Sequence, residues 1–409
     1  MRIKLILILL IAAILGSKPI QAQKAYKAIR TSLKNKKPDD ALRSFQTLAK
    51  DSAHMSDPKL YQFAVTAYTQ KYEALNQTIY LKQKYDTAQF FATNYNLCEK
   101  ILLCDSLEQL KINSEDNQYK DFKHRKANQE LLRKCANNIS SGGRYYFSKG
   151  KYKEAEPYFK MYMALPKAPI MAKDSITISR KTLSDNLYFN MCCLYEQKKY
   201  DEMMPYEETL LADLNVRRFV LEYYTLAAEA RGDYRHYVEL LKIGAFEHPE
   251  QPFYFTRLAD YYNERNEYRS AYSLSEALLE MDSTNIYYLE CKSLCLIKME
   301  RYEEAIEAAE KCLEIDSTMK EAWFYIGAAY SNLATKVKFP NNVKTKEYKD
   351  AKNRQNEYYA LAKPFVEHYR QMAPERKDRW APLLYNIYLN LNDGREFGEI
   401  EELLNSSTK

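Results

Sequence analysis

Four tyrosines, Tyr200, Tyr234, Tyr268 and Tyr302, stand 34 residues apart inside "KKYDE", "GDYRH", "NEYRS" and "ERYEE". A fixed period of this length is the signature of a supersecondary unit copied along a chain, and it limits the folds open to the sequence more than any other feature. Other positions keep the same phase: Phe255, Leu289 and Trp323; Leu258 and Ile326; Ala259 and Gly327; Ala271 and Ala305; and Ser283 and Ser317 in "MDSTN" and "IDSTM". Agreement of several residue types in one register makes chance alignment of tyrosines a poor explanation.

The unit is helical. In "KEAWFYIGAAYSNLA", residues 320–334, Trp323, Ile326, Gly327 and Tyr330 fall at steps of three, four and seven, which places them on one stripe of an α-helix. A glycine within that stripe costs about 1 kcal/mol against alanine, so close approach of a second helix is the expected reason for it. Nine glycines and thirteen prolines in 409 residues leave few turn signals, which again favours helices with short connections over sheets.

These segments resemble tetratricopeptide repeats, with their pattern W-x2-L-G-x2-Y, then A-x3-F, then P. "WFYIGAAY", Trp323 to Tyr330, carries the first part with Ile for Leu; "AEPYF", Ala155 to Phe159, carries the second; Pro374 after "VEHYRQMA" carries the third. The resemblance implies an all-α, right-handed superhelical solenoid of antiparallel helix pairs. It also implies that Gly327 and Ala259 let the second helix of a pair approach, beside the large knobs Trp323 and Phe255. Units start at about 136, 184, 218, 252, 286, 320 and 377, so the array spans 136–404 with insertions near 168–183 and 335–352, the latter holding "KFPNN". Looser repeat-like helical units are expected over 23–135, and 405–409 reads as a tail.

Residues 1–22 read as a signal peptide, with Arg2 and Lys4 ahead of an apolar run from Leu5 to Leu15 that is too short to span a bilayer. An uncleaved N-terminal anchor is the alternative. Cleavage would leave no transmembrane segment and place the chain in the periplasm or cell envelope of a bacterium. Losing Arg2, Lys4 and Lys18 lowers the formal charge from +6 to about +3 with both signs interleaved, so no concentrated basic field marks a nucleic-acid binder. The eight cysteines permit disulfides without requiring them; most are expected to be buried thiols, with Cys98 and Cys135 the first pair to test.

Chemistry-bearing motifs are missing. There is no GxSxG, HExxH, phosphate-binding glycine loop, GxGxxG or EF-hand loop, and the five histidines are scattered, so no catalytic site, cofactor or metal is expected. In tetratricopeptide proteins the concave surface is lined by positions 2, 5, 9, 12 and 13 of each first helix. Carried over, the resemblance nominates Tyr188, Tyr195, Phe219, Glu222, Glu229, Phe253, Asp260, Asn263, Glu264, Tyr287, Glu290, Phe324, Asn332, Tyr385 and Tyr388. Aromatic and carboxylate groups alternate along this set, which favours a basic or aromatic polypeptide over an acidic tail; the alternative is that the carboxylates only solubilise an exposed face. The expected function is a non-catalytic adaptor that binds protein segments, with glycan binding through tyrosine stacking as the second reading. Oligomeric state is left open.

Overall fold

The computed structural model describes residues 26–114, 121–172 and 180–406. The expected signal peptide lies outside them, as do most of the expected tail and residues 173–179 of the first insertion. Every regular element among the described residues is helical.

Two compact units are formed, Met1–Arg231 and Gly232–Lys409. The first holds α1 (Lys27–Lys34), α2 (Pro38–Leu48), α3 (Pro58–Tyr80), α4 (Thr87–Ile112), α5 (Arg125–Phe147), α6 (Tyr152–Ala164), α7 (Arg180–Glu196), the short α8 (Tyr200–Met203) and α9 (Glu207–Leu211), and α10 (Arg217–Ala230). The second holds α11 (Tyr234–Glu247), α12 (Pro252–Glu264), α13 (Tyr268–Leu279), α14 (Ile286–Lys298), α15 (Tyr302–Ile315), α16 (Lys320–Lys336), α17 (Lys346–Met372), α18 (Lys377–Leu391) and α19 (Gly394–Ser406). Helices adjacent in sequence pack as antiparallel pairs, so within each unit the fold is an α-solenoid of helix pairs. The division after Arg231 falls inside the 34-residue register and not at residue 135, where the sequence suggests a change from looser to regular units.

Local chemistry sets the helix ends. Asp57, Asp86, Asp233, Asn285 and Thr345 precede helices and accept backbone N–H groups of the first turn, satisfying donors that the helix itself leaves open. Pro38, Pro58 and Pro252 sit at first positions, where a missing N–H does no harm. Pro205 is less well placed. It falls within the second helix of its pair, which breaks into α8, a 3-10 turn at Met204–Tyr206 and α9.

Left-handed turns repeat with the helices. Lys198, Gly232, Asn266 and Glu300, again 34 apart, all have left-handed backbone, with φ of 57°, 71°, 58° and 62°. The residues after Lys198, Asn266 and Glu300 donate their N–H back to the carbonyls of Leu194, Tyr262 and Leu296 at 2.8–2.9 Å. This is the Schellman closure that ends one helix and aims the chain into the next.

Packing within pairs follows the predicted contrast of sizes. A Cβ on Gly327 would lie 2.4 Å from Cγ2 of Val366 and 3.2 Å from its backbone nitrogen, so α17 approaches α16 through this glycine. Gly142 and Gly143 admit the rings of Tyr158 and Phe159 in the α5–α6 pair, and Gly244 admits Tyr254 between α11 and α12. Phe255 is buried and meets Tyr288 edge-on at 4.6 Å. Trp323 is half-buried: its ring lies 4.1 Å from that of His368, and its Nε1 donates to the Ser317 carbonyl.

Unit 1 also uses buried charge. Glu108 is fully buried and accepts the backbone N–H groups of Lys123 and His124 at the start of α5, where the helix dipole favours an anion. Beside it, Arg125 grips the buried Asp105 through two bonds of 2.6 and 2.8 Å. Glu156 on α6 takes Lys199 and Gln197 at 2.7 Å each and so fixes the α7–α8 turn.

Candidate functional site

First helices of successive pairs touch one another in unit 2, where α12 meets α14, α14 meets α16 and α16 meets α18. Their exposed sides form one face, and this is where most of the predicted residues fall. Tyr287 is 49% exposed, Asp260 and Glu264 are exposed, and Phe253, Asn263, Glu290, Phe324 and Asn332 are half-buried.

The carboxylates act on one another. Burial raises the Asp260 pKa above the usual carboxylate range and Glu264 adds to the rise, with Arg257 opposing. Burial likewise raises Glu290, reinforced by Glu321 and Asp260 and opposed by Arg379. A face whose anions disfavour each other gains when a cation joins it. Cations of the chain meet part of that demand: Arg257 lies over the Phe253 ring at 4.8 Å, and Arg379 over Phe324 at 3.8 Å while reaching Glu321 at 3.8 Å. Glu321 stands at position 2 of its unit but was not among the nominated residues, while Arg257 and Arg379 come from neighbouring positions that curl onto the face.

Two predicted residues are not on it. Tyr388 is 2% exposed; its ring sits in the core between α17 and α19 and its hydroxyl donates to Glu367 at 2.9 Å. Tyr385 packs at 4.9 Å from Phe397 and belongs to the border of the same core. The cause is that α18 packs against helices on both sides, α17 supplying Glu367 to the Tyr388 hydroxyl and the terminal α19 supplying Phe397 to the Tyr385 ring.

In unit 1 the nominated residues split in two. Phe219, 57% exposed, and Glu222 face solvent on α10, with Glu229 half-buried on the same helix. Tyr195 packs edge-on to Tyr223 at 4.8 Å; burial raises its pKa, and the nearby carboxylates of Glu222 and Glu229 contribute. Tyr188 is half-buried, and burial raises its pKa with the neighbouring Cys192 contributing. Among the described residues no group of His, Cys, Asp and Glu is arranged to hold a metal ion, and no helix is long and apolar enough to cross a membrane.

No family model and no curated relative matches the chain. Similar solved structures include the C-terminal part of a TPR repeat-containing protein from Cytophaga hutchinsonii, 14% identical over 63% of this chain and 97% of that one, with a TM-score of 0.34. Another is the human IFIT1 dimer with m7Gppp-AAAA, 15% identical over 88% of this chain and 74% of that one, TM-score 0.35. A third is the P58(IPK) TPR domain, 13% identical over 95% and 99%, TM-score 0.25. The repeat assignment stands on this chain's own register of side chains, glycine approaches and left-handed turns.

Proposed function

We propose that the protein is a non-catalytic helical-repeat scaffold that binds protein segments, and that the ligand is an extended polypeptide bearing basic and aromatic side chains. The observation that carries this reading is the row of Asp260, Glu264, Glu290 and Glu321 beside Phe253 and Tyr287 on the first helices of unit 2, with the Asp260 pKa raised by partial burial and Glu264, and that of Glu290 by burial, Glu321 and Asp260. A lysine or arginine placed there relieves the repulsion, and the rings offer cation–π and stacking contacts. An acidic segment or a nucleic-acid backbone would be repelled. We place the scaffold in the bacterial cell envelope, on the strength of the charged start and short apolar run of residues 1–22.

Glycan binding has less support, because Tyr188 and Tyr195, two of the rings it needs, are engaged by Cys192 and Tyr223. Fluorescence anisotropy with labelled peptides tests the proposal. Basic, aromatic peptides should bind the full chain, acidic ones should not, and Asp260→Lys with Glu290→Lys should weaken binding by about tenfold or more. Unchanged affinity in that variant, or retention on a polysaccharide column instead of peptide binding, would overturn it.

A further inference from the structure

All eight cysteines are buried thiols in the structure, and six of them are placed beside a backbone carbonyl or a cysteine of their own helix. Cys104 donates to the Pro58 carbonyl, Cys312 reaches the Ile286 carbonyl, Cys192 and Cys193 are adjacent, and Cys291 and Cys295 lie one turn apart on one helix. Cys98 and Cys135 differ because they come from two packed helices, α4 and α5.

Three observations bring the pair together. Asn94, one turn before Cys98, donates its Nδ2 to the backbone carbonyl of Cys135 at 3.2 Å, so the Cys135 backbone lies against this stretch of α4. The two side chains interact directly, which raises the Cys98 pKa and lowers that of Cys135 from the ordinary thiol value. Both are fully buried in one apolar cluster with Leu97, Ile101, Leu132 and Ile139. The Tyr72 hydroxyl, which accepts from Asn138 Nδ2 at 2.8 Å, lies beside Cys135 and also lowers its pKa.

We propose that Cys98 and Cys135 form a disulfide when the chain folds in a compartment that supplies a thiol–disulfide exchange oxidant. The Cys135 thiolate attacks one sulfur of the oxidant's disulfide, forming a mixed disulfide and releasing the oxidant's first thiol. The Cys98 thiolate then attacks the Cys135 sulfur, the Cys98–Cys135 bond forms and the second thiol leaves. The two protons lost by the cysteines end on the oxidant's sulfurs, and the two electrons reduce its disulfide to a dithiol. Burial in the finished fold means that exchange precedes closure of α4 on α5. The crosslink then joins two helices and closes the loop between them, which constrains the unfolded chain; a bond within one helix, as between Cys291 and Cys295, would constrain almost nothing.

Peptide mapping of the full chain tests this. The protein is refolded in a mixture of oxidised and reduced glutathione, quenched in acid, unfolded, alkylated and digested. One linked peptide pair containing Cys98 and Cys135, with the other six cysteines alkylated, is the expected result; eight alkylated cysteines, or a link between other residues, would overturn the proposal. Reduction should raise the unfolding equilibrium constant of the surrounding helices by about 100-fold and leave that of Cys98→Ala unmoved. The map on the unaltered chain decides the matter even if that variant folds poorly.

Discussion

The α14–α15 and α16–α17 pairs are neighbours in the same register and solve the same packing problem with different turns. The first closes over three residues, with Glu300 left-handed. In the second, the position 34 residues further on is Ala334, which stays helical, is fully buried and packs in one core cluster with Tyr359 of α17. The helix runs on to Lys336 and the chain returns only at Lys346. The pairs still meet face to face, through Ser293 against the Ala305 carbonyl in one and Gly327 against Val366 in the other. Size complementarity at the interface thus holds the pairing, and the turn is free to vary around it.

Breaking that interface should have the largest effect. Gly327→Val places branched carbon where Cβ alone would lie 2.4 Å from Val366 Cγ2 and 3.2 Å from backbone, so α17 must move. We expect a loss of about 3 kcal/mol. The two tryptophans, Trp323 and Trp380, both lie in this region, so fluorescence during urea unfolding reads it directly. Gly327→Ala combined with Val366→Ala should recover part of the loss of Gly327→Ala alone. Strictly additive effects would show that the two helices do not meet at this glycine.

Changing the turn should matter less. Gly232 has φ of 71° and open space around its missing side chain, so Gly232→Val tests backbone strain without a clash. The expected loss is about 1–2 kcal/mol by circular dichroism melts; a loss as large as that of Gly327→Val would mean that the turn, not the interface, dominates. The reverse exchange, Lys198→Gly, should stabilise by about 0.5–1 kcal/mol, since a lysine there bears the left-handed penalty. Glu300→Gly should give less, because it also removes the exposed pair with Lys336.

The register of pairs was legible in the sequence because it is written in side-chain size, repeated at Phe255, Leu289 and Trp323 and at Ala259 and Gly327. The turns were not. Lys198, Asn266 and Glu300 share a backbone conformation without sharing a side chain, and only Gly232 announces it. The face was legible at Asp260, Glu264, Tyr287 and Glu290, where the period is intact. The period did not place Tyr385 and Tyr388, because their partners, Phe397 of α19 and Glu367 of α17, are tertiary contacts that a repeat template cannot express. Arg379 escaped for a related reason: its guanidinium reaches the face by curling over Phe324, a contact that no spacing encodes.

The smallest expected effect concerns the links between pairs. Asp282 and Asp316, one period apart, each accept the side-chain hydroxyl and backbone N–H of the threonine two residues on, and these bonds lower both pKa values. A carboxyl whose folded pKa is depressed adds stability above its unfolded value, about 3.9 for aspartate, and that stability fades as pH falls through the folded pKa. Asp316→Asn should therefore lower the urea midpoint slightly near neutral pH, with the gap to the unaltered chain narrowing below about pH 4. The Ser317 carbonyl that holds Trp323 Nε1 lies in this turn, so tryptophan emission follows the same titration. A gap that persists unchanged into acid would show that the aspartate acts through the shape of its side chain and not through its charge. The links would then resemble the left-handed turns, set by backbone geometry, and electrostatics would have no part in spacing the pairs.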